Sequence, residues 1–430
     1  MLNLFPVTAK INPADHLEID GQDVCSLAQT WGTPLYLYDG ATVRQNAQNL
    51  ETWFRRWYAG ESQVAYAAKV YFSLEMARKL KEMGIGVDAA SLGELNMARL
   101  AGFAPGNVHL NGNNKSREEL LAALRWGIQA VVVDSLEELG FLENLAAAEQ
   151  RQVEIWLRVT PGISAKTHAY DLTAHPNSKF GLPMHDGQAA EAIRQALRSP
   201  WLRLTGLHTH IGSQIFELGP FRQAIEILYA LAEAEGFVPQ TFCPGGGWGV
   251  PYLPNGEAVP PAEDWIRTVS EAVTAESTRR GWPLPRLVVE PGRWLAARAG
   301  LAVYTIGTHK VVNDGSRVVA VDGGMADNPR HALYQAEYTA LLADRAGAEP
   351  RHRVTLVGKF CESGDELIPQ VMLPDYERGR VLVMPVAGAY QLSMASNYNL
   401  APRPAALWLE NGEIHVLQQR ERIEESWWVS

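Results

Sequence analysis

The sequence has little cysteine. Three residues, Cys25, Cys243 and Cys361, lie far apart and are odd in number. They make neither a disulfide framework nor a zinc-binding set, and they fit a reducing, cytoplasmic compartment. No apolar run is long enough to span a bilayer, so no membrane is expected as a partner. The opening residues, MLNLFPVTAKINPADH, lack a basic head followed by an apolar stretch, and no signal peptide is expected. Positive charge is also in short supply. The formal net charge of −10 argues against nucleic acid as the main partner. Low-complexity linkers are absent too. What remains is an ordinary globular composition in a chain of 430 residues, too long for one core, so two domains are expected.

The first positive signal is a rhythm. Eight apolar, strand-like runs begin at residues 63 (QVAYAAK), 85 (IGVDAAS), 107 (NVHLNG), 130 (AVVVDS), 154 (EIWLRVT), 204 (LTGLHTHIGS), 241 (TFCPGGG) and 286 (RLVVEPGR). Amphipathic or Ala/Leu-rich helical runs alternate with them, most clearly at 74–83, 95–100, 117–126 and 136–149. This alternation predicts an α/β fold, a (β/α)8 TIM-type barrel, with a doubly wound open sheet as the rival. In a barrel the catalytic groups sit at the C-terminal strand ends. Those ends read Lys69, Asp88, Asn111, Asp134, Arg158, His210, Gly245 to Gly247, and Glu290 with Arg293, nearly all polar, ionisable or glycine.

After residue 297 the rhythm changes. Short β-type runs at 302–306, 317–321, 354–357, 381–384, 405–409 and 414–417 are separated by turn signals such as Asn313-Asp314-Gly315 and Asn411-Gly412. They predict a mostly antiparallel β domain. The expected division is a barrel over 35–296, with 1–34 joining 297–430 in a β domain that completes the active site. Within 1–38, strands are expected at 16–20 and 33–38 and a short helix at 25–31.

Each candidate group carries two readings. Lys69 is a surface lysine at a strand exit, or a desolvated amine able to form a Schiff base. Gly245 to Gly247 make a tight turn or a phosphate loop. Glu290 can pair with a protonated pyridine nitrogen, and Arg293 can hold a substrate carboxylate; alternatively the two form a structural pair. Period two puts His208 and His210 on one strand face, where an imidazole can stack on a planar cofactor and Ser213 can bond a phosphate. A structural histidine or a metal pair would explain the histidines as well, although no third ligand has suitable spacing. Cys361, beside Glu362 and Asp365, suits a proton donor better than a nucleophile, or is a half-buried turn cysteine. Tyr390 lines a pocket or packs in a core. One cofactor needs a lysine, a phosphate loop, a carboxylate for a ring nitrogen and a stacking imidazole: pyridoxal 5′-phosphate. A flavin or nicotinamide barrel would leave Lys69 and Glu290 unused.

The chain resembles the diaminopimelate decarboxylase family, of the alanine-racemase-like (fold-type III) class of pyridoxal-phosphate enzymes, nearly end to end. The likeness runs through GTPLYLYD at 32, YAAK at 66, GNNKS at 112, SKFGL at 178, HTHIGSQI at 208, GGGWGVPY at 245 and VEPGR at 289. It continues through VDGGMADNPRHALY at 321, CESGD at 361 and GAYQLSMASNYN at 388. The resemblance implies a PLP-dependent conversion of meso-2,6-diaminopimelate to L-lysine and carbon dioxide, acting at the D-configured centre. The catalytic residues it implies are Lys69, which would bind the cofactor covalently, and Cys361, which would return a proton. The cofactor-binding set would be Lys69, Asp88, His210, Ser213, Gly246, Gly247, Glu290, Gly292, Arg293 and Tyr390. The substrate would meet Arg293, Arg330, Tyr334, Glu362 and Tyr390. A homodimer is also implied, in which Cys361 and Glu362 enter the partner's active site. Val70-Tyr71, Leu92 and Asn111 depart from the family pattern. Related decarboxylases acting on ornithine, lysine or carboxynorspermidine are the alternative; their substrates lack a distal carboxylate, so Arg330 and Glu362 favour diaminopimelate.

Overall fold

The computed structural model describes residues 2–163, 178–425 and 429. The chain divides into two compact units, one of residues 47–250 and 258–292, the other of 1–46, 251–257 and 293–430. Among the described residues no helix is long and apolar enough to cross a membrane.

The first unit is a closed parallel barrel. Its eight strands, in order around the ring, are Ser62–Ala67, Gly86–Ala89, Val108–Leu110, Ala130–Val133, Val153–Thr160, Leu202–His208, Thr241–Cys243 and Arg286–Val289. The ring closes where Leu287, Val288 and Val289 pair in parallel with Ser62, Gln63 and Val64. Closure excludes the doubly wound alternative. These strands read as continuous apolar runs because a parallel barrel strand is buried on both faces. Ala65, Ala130, Val132, Trp156, Cys243 and Val288 form a buried core cluster. Small residues make room there for one large ring: a Cβ at Gly206 would come within 2.7 Å of Trp156.

Four of the barrel helices start at serines. Ser73, Ser91, Ser116 and Ser135 each accept a hydrogen bond from a backbone N–H in the first turn of the helix that follows. Ser116 and Glu119 form a reciprocal capping box. Such caps satisfy N–H groups that the helix itself cannot, and each contributes about 1 kcal/mol. They also fix where each βα loop ends and leave the strand ends to carry the site.

The second unit is built on a mixed, mostly antiparallel nine-stranded sheet. Its long strand Gly300–Val311 pairs antiparallel with Leu35–Asp39, Arg317–Val321 and Val381–Met384. Two pairings are parallel, Ala405–Glu410 on Leu35–Asp39 and Arg317–Val321 on His352–Val357. Leu35–Asp39 therefore belongs to this sheet, whereas the expected division at residue 35 gave it to the barrel. The run LYLYD is apolar on both faces, like a barrel strand, and only its long-range pairing assigns it. The expected early helix is Val24–Trp31, capped by Asp23.

Candidate active site

At the end of the last barrel strand, Glu290 is buried in a ring of donors. Its Oε1 accepts from His109 Nε2 at 2.9 Å, His208 Nε2 at 3.1 Å, Asn111 Nδ2 at 3.4 Å and the Cys243 thiol at 3.4 Å. Among the described residues, Oε2 takes only His208 Nε2, at 3.3 Å. Among the described residues, Nδ1 of His109 and of His208 has no hydrogen-bond partner, so the proton each ring donates sits on Nε2. Burial alone would raise the Glu290 carboxyl. The His208 charge and the hydrogen bonds from both histidines outweigh it and hold Glu290 well below the usual carboxylate range.

Asp88 goes the other way. Burial raises it, the Glu290 charge adds to that, and His109, Lys69 and a 2.6 Å hydrogen bond from Asn111 only partly offset the rise. Two neighbouring carboxyls are thus pushed in opposite directions, Glu290 down and Asp88 up, a separation common at catalytic centres. Cys243 stays a thiol, because burial and the Glu290 charge push it well above its ordinary value. The groups His208–Cys243–Glu290 and Asp88–His109–Glu290 each lie close enough to hold a metal ion. Both share Glu290, whose Oε1 is already occupied by donors, and an unionised thiol is a poor ligand.

Lys69 lies outside the strand that was expected to contain it. The strand stops at Ala67, and the 3-10 turn Ala68–Val70 carries Lys69 out to an exposed position, so its amine is not desolvated. Its charge still reaches the strand ends, where it acts on Asp88 and His210. His210 is a second correction. The strand ends at His208, so the period-two argument does not extend to His210. The imidazole instead accepts a hydrogen bond from the Gly246 N–H at 3.3 Å through Nδ1. Burial, then the Lys69 and Arg158 charges, hold it well below its ordinary value, so it is neutral at pH 7.

The glycine loop is threaded between two strand ends. Glu290 N donates to Gly245 O at 2.9 Å, and Ile215 N donates to Gly247 O at 3.0 Å. A side chain at Gly246 would run into the Glu290 carbonyl, and one at Gly247, where φ is +89°, into the Gly212 carbonyl. Gly292 also packs closely on the Lys69 turn: a Cβ there would stand 2.7 Å from Val70 Cγ2. Ser213 lies half-buried just beyond His210.

The second unit holds a centre of different character. Arg293 and Arg330 are both buried. Arg293 donates through Nη1 to the Tyr252 hydroxyl at 2.8 Å and lies 4.6 Å from the centre of the Tyr390 ring. Arg330 opens the short helix Arg330–Tyr334 and stands 5.5 Å from Tyr390, 5.7 Å from Tyr334 and 5.9 Å from Tyr252. Tyr338 meets Tyr252 edge-on at 5.4 Å. Tyr390 adopts φ +66°, a left-handed conformation that is rare for an aromatic residue. Cys361 and Glu362 lie in the same unit on an exposed loop, so the half-buried reading of the cysteine does not hold.

Sequence reasoning gave no role to His109, Cys243, Tyr252 or Tyr338, and it read His208 for stacking, structure or metal rather than as a donor to Glu290. His109 was within reach, because it lies in the strand-like run NVHLNG, whose end at Asn111 was read as a site position. Nothing local marks the two tyrosines.

A parallel barrel with an ionised carboxylate, a neutral imidazole on a glycine loop and a lysine at its strand ends has the groups of a pyridoxal enzyme. Residues 41–297 match the pyridoxal-binding domain of the pyridoxal-dependent decarboxylases. Within that class the chain belongs to the diaminopimelate decarboxylase family. It is 42% identical to the diaminopimelate decarboxylase of Bacillus subtilis (strain 168), over 97% of this chain and 96% of the relative. Its fold is similar to that of the M. jannaschii enzyme in complex with L-lysine, with a TM-score of 0.91 at 30% identity over 97% of this chain and 96% of that one. It is also similar to the Helicobacter pylori enzyme complexed with L-lysine, with a TM-score of 0.85 at 32% identity over 93% and 97% of the two chains.

Proposed function

We propose that this chain uses pyridoxal 5′-phosphate to convert meso-2,6-diaminopimelate to L-lysine and carbon dioxide. The observation that carries the cofactor reading is the asymmetry at Glu290. Among the described residues, Oε1 is saturated by donors, whereas Oε2 has one long contact and can take the proton-bearing nitrogen of a pyridine ring. The glycine loop, which leaves no space for any side chain, gives a phosphate close backbone approach, and the neutral His210 can lie flat against a ring.

When bound, the cofactor supplies a sink for the electron pair left by departing carbon dioxide. The protein groups take the remaining tasks. Lys69 offers the amine that attaches the cofactor and, through its charge, acts on Asp88. Glu290 keeps the ring nitrogen protonated. Ser213, Gly246, Gly247, Gly292 and Arg293 hold the phosphate. Arg293, Arg330, Tyr334, Tyr390 and Glu362 receive the distal end of the substrate, and Cys361 gives a proton to the carbon that has lost its carboxylate. The working form is a homodimer in which Cys361 and Glu362 of one subunit serve its partner's site. A cytoplasmic location fits three cysteines that are all free thiols.

Two buried guanidinium groups on a wall of tyrosines support diaminopimelate over ornithine or lysine. Only diaminopimelate carries a second carboxylate, and the planar fork of a guanidinium group fits a carboxylate with two parallel hydrogen bonds. The test supplies the purified protein with meso-diaminopimelate, ornithine and lysine side by side and follows carbon dioxide. Release from diaminopimelate alone is expected. Equal release from ornithine would overturn the substrate assignment.

A further inference from the structure

An exposed thiol on a loop needs something to hold it still if it is to deliver a proton. The root of the loop is rigid. Asp365 accepts from Phe360 N at 2.8 Å and from Met325 N at 2.6 Å, and Gly324 and Gly358 leave no space for side chains beside its carboxylate. None of these contacts reaches the Cys361 backbone. Its two polar groups go elsewhere, to one short turn. Cys361 N donates to Asn399 Oδ1 at 3.1 Å, and the Cys361 carbonyl accepts from the Tyr398 hydroxyl at 3.4 Å. The Tyr398 ring also meets Phe360 edge-on at 6.1 Å.

That turn is itself strained. Asn399 (φ +52°) and Leu400 (φ +54°) are consecutive left-handed residues, which costs a non-glycine residue about 1 kcal/mol or more each. Asn399 tolerates the conformation and Leu400 does so poorly. The strain is held by bonds within the turn and by one from outside it: Leu400 N donates to Asn397 O at 2.8 Å and Asn397 Nδ2 to Ala401 O at 3.1 Å, while Ser396 N donates to Ala326 O at 2.8 Å. A strained turn fixed in this way, two of whose side chains bind both backbone groups of one residue, acts as a clamp.

We propose that Asn399 and Tyr398 are positioning residues for proton delivery, fixing the backbone of Cys361 so that its thiol is presented in one place. This rests on the reading of Cys361 as the proton donor. In that step the S–H bond breaks and a C–H bond forms at the carbon that has lost carbon dioxide. The thiolate then regains a proton from solvent before the next turnover. Proton transfer requires hydrogen-bond reach, and a misplacement of about 1 Å can cost on the order of a hundredfold.

Three substitutions separate the clamp from the turn. Asn399→Asp keeps both the acceptor and the tolerance of left-handed backbone. Asn399→Gly keeps the backbone and removes the acceptor. Tyr398→Phe removes the donor and keeps the ring. Each is made in the full-length holoenzyme beside Cys361→Ser, and two quantities are read: kcat and KM for meso-diaminopimelate, and amide exchange of the peptide 359–364. Asn399→Gly and Tyr398→Phe should each lower kcat about tenfold with KM within about twofold, and Asn399→Asp should stay near wild type. Exchange at 359–364 should accelerate in Asn399→Gly. Wild-type kcat in Asn399→Gly, with Cys361→Ser impaired, would overturn the clamp and leave the donor reading intact. So would an Asn399→Asp enzyme as slow as Asn399→Gly. Full activity in Cys361→Ser would instead overturn the donor reading, and the clamp with it.

Discussion

The two units hold polar centres built on opposite plans. In the barrel, the groups around Glu290 titrate, and their surroundings separate their protonation states: Glu290 is held down, Asp88 is pushed up and His210 stays neutral. In the second unit, Arg293 and Arg330 bring fixed positive charge, cushioned on the rings of Tyr252, Tyr334 and Tyr390. A centre that must hold and move protons is made of carboxylates and imidazoles whose environments differ. A centre that must recognise an anion is made of guanidinium groups, whose planar fork fits a carboxylate. The contrast sets titrating groups at the barrel centre against fixed positive charge in the second unit.

The strongest attempt to break this division removes one essential group from each side. Lys69→Ala and Cys361→Ala should each abolish nearly all activity. Mixed under conditions that exchange subunits, they should recover to roughly a quarter of wild type, because half of the random dimers are mixed and each of these has one intact site. Exchange confirmed by mass, without recovery, would mean that Lys69 and Cys361 serve a site within one chain.

Within the barrel, Glu290→Gln keeps the shape and removes the charge. A fall in kcat of about two to three orders of magnitude is expected, as for loss of a preorganised electrostatic group. A kcat within about twofold of wild type would show that the anion does not matter.

The second unit has its own titrating group, but that group's effect should appear in stability. Burial raises Asp327 from 3.8 to about 6, although Tyr304 donates to it at 2.6 Å and Tyr36 at 3.0 Å. Between these two values the folded chain holds a proton that the unfolded chain has lost, so this group's contribution falls as pH rises through that window. Relative to Asp327→Asn, wild type should lose on the order of 3 kcal/mol between pH 4 and pH 7. Denaturant unfolding of both proteins at the two pH values measures this. A difference independent of pH would remove the assignment.

The smallest expected effect is on substrate choice. Arg330→Ala should raise KM for diaminopimelate about thirtyfold, from loss of about 2 kcal/mol of charge-assisted hydrogen bonding, and leave kcat nearly unchanged. A fall in kcat at constant KM would move Arg330 to the chemical step.

The barrel was legible because strands buried on both faces, such as Ala130–Val133, announce themselves as apolar runs at regular intervals. The strand ends were legible for the same reason, and most of the site lies there. What was not legible depends on where a strand stops or what it pairs with. His210 lies just past a strand end, so alternation along the strand misplaced it, whereas Lys69 stands exposed at the strand exit, as one of its two readings had it. Leu35–Asp39 has the pattern of a barrel strand and pairs with Gly300–Val311, far away in sequence. The contact between Tyr252 and Arg293 spans 41 residues, and no short-range pattern encodes it.

The central claim is that the barrel centre carries the cofactor at Lys69 whatever happens in the arginine centre. Borohydride reduction of wild type and of Arg330→Ala, followed by peptide mass mapping, tests it directly. The account predicts one pyridoxyl group in both proteins, on the peptide containing Lys69. A label on any other lysine, or no label on wild type purified with its cofactor, would contradict it.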